Sequence, residues 1–210
     1  EDSYNSIRAY AIFAGGVTVY SDNIVGGFEL VEELGFETGF EDITKGSYAA
    51  GTVDINEITW NLSDSLVGDL ATDKKVGDKA VRFRNSGFME SETAIRNISM
   101  ISYQFATYGT NTGGSIEVLV SVDGNDWISV QSPISATANL ATQTINLKES
   151  TTLIAAGIST SDPLYVKFSK TGGDRVNLDE LKIFTSVKNI KHEIVYNNEG
   201  LVTKDFVIDG

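Results

Sequence analysis

Short runs of alternating apolar and polar residues, cut by turn-forming residues, most constrain what this chain can become. Ser115–Val122 puts Ile116, Val118, Val120 and Val122 on one side, and Ile98–Thr107 does the same with Ile101, Tyr103 and Phe105. A period of two gathers such residues on one face of an extended strand, whereas a helix would scatter them. The same reading marks strands at Thr52–Ile55, Ile58–Leu62, Ala80–Arg84, Gly87–Glu90, Trp127–Val130, Thr142–Leu147, Leu164–Ser169 and Val176–Thr185. Asn56-Glu57, Asn85-Ser86 and Asp123-Gly124 supply turns between neighbours. No segment carries a convincing amphipathic helical period. Many short strands without helices predict an all-β sandwich. Ser63–Asp78 is the one long irregular stretch, with a helical turn expected around Ser65–Leu70. A loop of this length reads as a rim or functional element.

The ends read as additions to that sandwich. Ser6–Phe13 and Val17–Tyr20 flank Ala14-Gly15-Gly16, a hairpin pattern. His192–Tyr196 and Val202–Ile208 flank Asn197-Asn198-Glu199-Gly200, a second one. The expected organisation is a terminal hairpin over 1–33, a sandwich over 34–187 and a C-terminal hairpin over 188–210. Glu1 opens directly into polar sequence, as expected of a segment processed or excised from a larger chain with neighbouring domains.

Charge and composition exclude several functions. Sixteen basic against 29 acidic residues give a formal charge of −13. Without a dense Lys/Arg run, such a surface repels nucleic acid. The chain has no cysteine, which removes disulfides, thiolate metal sites and cysteine nucleophiles, and fits a bacterial exported protein. Its single histidine, His192, rules out histidine metal clusters, and no G-x-S-x-G elbow accompanies it. No apolar run approaches the roughly 20 residues that span a bilayer as a helix. The expectation is a protein without catalytic activity and without membrane insertion.

Five stretches carry a family resemblance: GFETGFED (35–42), YAAGTVDINEITWNLSDSLVG (48–68), DKKVGDKAVRFRNSGFM (73–89), FATYGTNTGGSIEVLVSVDGNDW (105–127) and RVNLDELKI (175–183). In this order they resemble the jelly-roll accessory modules found beside catalytic domains in secreted bacterial endonucleases and related exported proteins. Their general plan is similar to MAM domains and carbohydrate-binding jelly rolls. IRAYAIFAGGVTVYSDNI (7–24) resembles the last two strands of a fibronectin type III domain. The resemblance implies a jelly-roll β-sandwich, an extracellular or cell-surface setting, and a module that binds or displays. It lends no catalytic residue. The expected partner is a glycan or another surface polymer; a purely structural or adhesion segment is the alternative, and a glycoside-active enzyme a distant third.

Two groups of residues could carry binding. Arg82 and Arg84 lie opposite Val81 and Phe83, and Arg175 and Asn177 share a face by the period of two. With Tyr103 or Tyr108 nearby they would form a patch for sugar hydroxyls or carboxylates, through forked donors and ring stacking. The competing reading pairs these arginines with acids across an exposed sheet. The second group lies where Val176 and Leu178 give way to Leu181 and Ile183, so that the apolar phase slips at Asp179-Glu180. Such a slip predicts a β-bulge. Acids at that point need neutralising, by a hard cation or by turn amides. The MAM-like resemblance implies a partner acid after a Phe-Glu pair, which here is Glu37 or Glu41. The expected cofactor is a structural calcium ion (Ca2+) held by Glu37 or Glu41, by Asp179 and by carbonyls. Trp60, with Ile58 and Leu62 on its face, reads as core. Trp127 follows SVDGND, which resembles the Asp-box hairpin, and reads as structural.

Overall fold

Alternation becomes strand wherever β-branched and aromatic residues can cover a common core. The computed structural model describes the backbone of residues 6–7, 10–12, 18–20 and 24–192 and the side chains of residues 30–187. The chain divides into two compact units, Glu1–Val31 with Val187–Gly210, and Glu32–Ser186. The first strands are β1 (Ser6–Ile7), β2 (Tyr10–Ile12), β3 (Thr18–Tyr20) and β4 (Ile24–Thr38). β2 and β3 pair antiparallel as part of the expected N-terminal hairpin, with Tyr10 opposite Tyr20, but Ser6–Ile7, read as the start of its first arm, pairs with β4 instead. The strand expected at His192–Tyr196 is described only at its first residue, and the rest of the C-terminal hairpin lies outside the described residues.

The sandwich continues with β5 (Gly51–Ile55), β6 (Ile58–Gly68), β7 (Ala80–Ser91), β8 (Ile98–Thr107), β9 (Ser115–Ser121), β10 (Ile128–Ser135) and β11 (Ala141–Asn146). A 3-10 turn (Leu147–Glu149) and a single-turn helix, α1 (Thr151–Ala156), precede β12 (Tyr165–Gly172) and β13 (Val176–His192). α1 is too short to show a helical period. Its signal is local: Ser150 caps the start and Gly157, with φ 68°, closes the end.

Hydrogen bonding runs through all these strands, yet they form two layers, because β6 and β7 bend together. Trp60 to Ser63 pair with Ser91 to Phe88, next to β12, while Ser65 to Gly68 pair with Phe83 to Ala80, next to β13. One layer is therefore β5-β6-β7-β12-β9-β10, and the other is β6-β7-β13-β8-β11, with β4 on β13. The bend falls at Asp64 and Asn85, both in the left-handed region at φ 47° and 46°. Lys170 pins it from inside, donating to the carbonyls of Asn85, Gly172 and Gly173. Asn85-Ser86 is thus a bend inside one strand rather than the expected turn between two. The helical turn expected at Ser65–Leu70 is also absent, because Ser65–Gly68 extends β6.

Between the layers the alternation works as read. Ile101, Tyr103 and Phe105 face Ile116, Val118, Val120, Val166 and Phe168 across the core, all at 1% exposure or less. Val122 is the exception, 47% exposed, because it has left β9 for the turn. Trp60 is fully buried beside Phe36, with ring centroids 5.8 Å apart. Each such side chain contributes about 1.5–3 kcal/mol by leaving water.

Candidate functional site

The arginine patch comes together as a closed structure. Arg82 and Asn177 point outward from neighbouring β7 and β13, and the segment Asp69–Lys79 folds over them. Asp73, 5% exposed, accepts two charge-assisted bonds from Arg82, both 2.7 Å, and one from Asn177 Nδ2 at 2.8 Å. Asn177 Oδ1 accepts from the Lys74 amide at 3.0 Å. The Tyr108 ring lies between Arg82 and Arg175, 4.6 and 4.3 Å from their guanidinium carbons. Thr72 donates its hydroxyl to Tyr108. Four of the six expected ligand residues, Arg82, Tyr108, Arg175 and Asn177, therefore meet, and they hold a loop. A forked donor matched by one buried carboxylate has few bonds left for a sugar. Arg84 stands apart, exposed, pairing with Asp64 at 2.9 Å and lying over Tyr48. Tyr103 faces the core, edge-on to Phe168, and donates to Gln131.

The acids at the phase slip anchor the other end of the same loop. Between Asp179 and Lys182, β13 spends one more residue than β8, and Glu180 takes φ 49°: the bulge is present. Asp179 is fully buried and accepts from the amides of Val76 at 2.6 Å and Glu180 at 2.8 Å. Burial raises its carboxyl to about 7; the two amides oppose the rise, and the charges of Glu180 and Glu41 add to it. Glu41 accepts from the amides of Asp78 and Lys79. Gly77 is required here, since its φ is 76° and a Cβ would collide with the Glu41 carboxylate. Glu37 is not part of this arrangement; it faces Lys182 at 3.9 Å, largely in solvent. The duplicated Gly-Phe-Glu thus separates into an outward Glu37 and a loop-holding Glu41. Glu180 Oε1 and Asp179 Oδ1 both face the space above Gly39, where a Cβ would lie 3.2 and 4.0 Å from them. Among the described residues no three acidic or histidine side chains converge on one point. Turn amides already satisfy Asp179 and Glu41, so a hard cation would need further oxygens from the backbone.

The outward face of the other layer is open. β7, β12 and β9 lie side by side there, with Lys167 opposite Glu90 on one flank and Leu119 on the other. Lys167 Nζ lies 4.3 Å from the centroid of Phe88, 5.0 Å from that of Trp127 and 2.8 Å from Glu90. Asn61 of β6 donates to the other Glu90 oxygen at 3.2 Å. Phe88, Trp127 and Tyr165 are each half-buried. Trp127 is delivered by the turn that begins at Ser121, where Asp123 Oδ1 accepts from the amides of Asn125 and Asp126. Those amides, with the Ser121 hydroxyl, hold the Asp123 carboxyl below its ordinary range. Phe88, Glu90, Trp127, Tyr165 and Lys167 were not among the expected site residues. The alternation Tyr165-Val166-Lys167-Phe168 carries half the signal; the other half is strand adjacency, which no local pattern supplies.

No family model matches the chain, and no curated protein matches it. Among solved structures it is similar to the K2 cleaved adhesin domain of Lys-gingipain, a Porphyromonas gingivalis protein, with 14% identity, a TM-score of 0.52, and 73% of this chain and 99% of that one covered. It is also similar to the CBM22-1 xylan-binding domain of Paenibacillus barcinonensis Xyn10C, at 12% identity, TM-score 0.47 and coverages of 74% and 95%. A third similar structure is TmCBM61 in complex with β-1,4-galactotriose, at 17% identity, TM-score 0.41 and coverages of 60% and 88%. At 14% identity the likeness to the adhesin domain is one of fold alone, a β-sandwich.

Proposed function

We propose that this chain is a non-catalytic binding module of an extracellular or cell-surface protein, taking a glycan or another surface polymer on the open face of β7, β12 and β9. The observation that supports this most is Lys167 set between Phe88 and Trp127 and joined to Glu90. Half-buried rings offer flat apolar surface to the C–H face of a sugar, and the ammonium and carboxylate beside them offer donors and acceptors to its hydroxyls. The test is a polysaccharide array probed with the full chain and with Trp127→Ala and Phe88→Ala. Binding that vanishes in both variants supports the reading. Binding that survives both places the ligand elsewhere, and no binding to any glycan favours the structural or adhesion role.

A cation belongs to the same proposal as a stabiliser rather than a ligand bridge. Calcium would lie above Gly39 against Asp179 and Glu180, offsetting charge that burial leaves unsolvated. Added calcium should then raise the melting temperature and chelator should lower it. An unchanged melting temperature in both removes the ion.

A further inference from the structure

A second surface stands out by its lack of charge. From Trp127 to Leu147 there is no Asp, Glu, Lys, Arg or His, in a chain where 21% of residues are charged. This stretch forms β10 and β11, which end the two layers on the same side of the chain's order: among the described residues β10 pairs only with β9, and β11 only with β8. A strand with one neighbour exposes a row of free N–H and C=O groups, and soluble proteins usually guard it with charge, proline or a bulge. The guards are present elsewhere in the sandwich. β10 has Pro133 and two register shifts. β5 is five residues long and carries Asp54. The sandwich part of β4 carries Glu32, Glu33 and Glu37.

β11 has none of these. Its six residues, Ala-Thr-Gln-Thr-Ile-Asn, pair with β8 in unbroken register from Ala141 opposite Phe105 to Asn146 opposite Met100. Beside its free edge, between Thr144–Asn146 and Ser129–Ser132, runs a groove of about 480 Å³ with no aromatic ring in its lining. A ring-free groove whose one charged lining residue, Glu149, lies beyond the end of β11 suits main chain better than sugar.

We propose that the free edge of β11 pairs antiparallel with the same edge of a second copy, about a two-fold axis at Thr144. Side chains directly opposite must share a sheet face. Thr144 then meets its own counterpart, Gln143 meets Ile145, and Thr142 meets Asn146. Such an interface is isologous, and its Thr–Thr pair is of a favourable cross-strand type. Charge selects this occupant. Two copies of net charge −13 repel, and the surface on which they can approach without opposed carboxylates is the uncharged one. One strand pair buries less than a stable interface requires, so the dimer is weak and reversible.

Sedimentation velocity of the full chain over a concentration series at low and high sodium chloride tests this. The expected result is a monomer–dimer equilibrium that shifts towards dimer with concentration and also with salt, because salt screens the mutual repulsion. Thr144→Lys places two ammonium groups face to face and should lose the dimer, while its circular dichroism stays unchanged because Thr144 is exposed. Thr144→Val should keep the dimer, and Thr52→Lys on β5 should leave it unaffected. A chain that stays monomeric at every concentration and salt overturns the proposal. So does a dimer that survives Thr144→Lys, or one that salt dissolves.

Discussion

Arg82 and Lys167 occupy comparable places. Each is an outward-pointing cation in the middle of a layer, each lies over aromatic rings, and each pairs with a carboxylate. Their surroundings differ. Arg82 is 7% exposed beneath the Asp69–Lys79 segment, and its partners Asp73, within that segment, and Tyr108, bonded to Thr72, hold the segment in place. Lys167 has a side chain 20% exposed, and the turn after β9 reaches it through the Trp127 ring. Arginine, tyrosine and aspartate can therefore be structural hardware on one face, while a similar palette on the other stays available to a ligand. What separates them is whether a long connection returns over the sheet.

The most forceful way to break this comparison is Asp73→Ala. It strands the Arg82 guanidinium and the Asn177 amide beneath a loop, away from water. Removing one partner of a buried ion pair costs about 3–5 kcal/mol, and urea unfolding should show a loss of that size. A loss under about 1 kcal/mol would mean that water reaches Arg82 and that the face is open after all.

An effect of similar size concerns the far anchor of the same loop. Asp179 has a folded-state value of about 7, above its ordinary 3.8. A group raised on folding contributes stability that is fully present below its unfolded value and is lost as pH rises through the folded value. Stability should therefore fall between about pH 4 and pH 7, by of order 4 kcal/mol in metal-free buffer. Asp179→Asn should flatten that part of the profile in thermal melts taken across the range. An equally steep fall in Asp179→Asn would assign the dependence to other groups.

On the open face the ordering of effects should reverse. Phe88→Ala and Trp127→Ala each remove a half-buried ring, at about 1 kcal/mol of stability. Their loss of glycan binding, by contrast, should be complete on the proposed reading. A stability loss near that of Asp73→Ala would turn these rings into framework and sharpen the comparison against a binding role.

Much of this architecture was legible residue by residue. Asn56-Glu57 reads as a hairpin turn, and both residues take positive φ, 46° and 67°. The slip at Asp179-Glu180 reads as a bulge and is one. Period-two patterns depend only on neighbours along the chain, so they survive folding. Asn85 misled for the same reason: an asparagine suited to left-handed φ signals a turn, and nothing local says that the strand resumes in line. The arginines show the deeper limit. Alternation placed Arg82 and Asn177 outward correctly, but the residue that closes over them, Lys74, lies 103 positions from Asn177. Sequence tells which way a side chain points more readily than what comes back to meet it.

Arg84 supplies the smallest effect and the cleanest control. It stands two residues from Arg82 on the same strand face, pairs with Asp64 at 2.9 Å and lies 4.1 Å from the Tyr48 ring centroid. Its chemistry is nearly that of Arg82, but its side chain is 45% exposed against 8%. Solvent and salt screen such a pair, and holding two side chains together offsets what attraction remains. Arg84→Ala should therefore leave the melting temperature where it was, at low salt and at high. If it destabilises as Asp73→Ala does, the returning loop is not what distinguishes the two arginines. The bend at Asp64 and Asn85, which Arg84 bridges, would then be the element that holds the two layers in register.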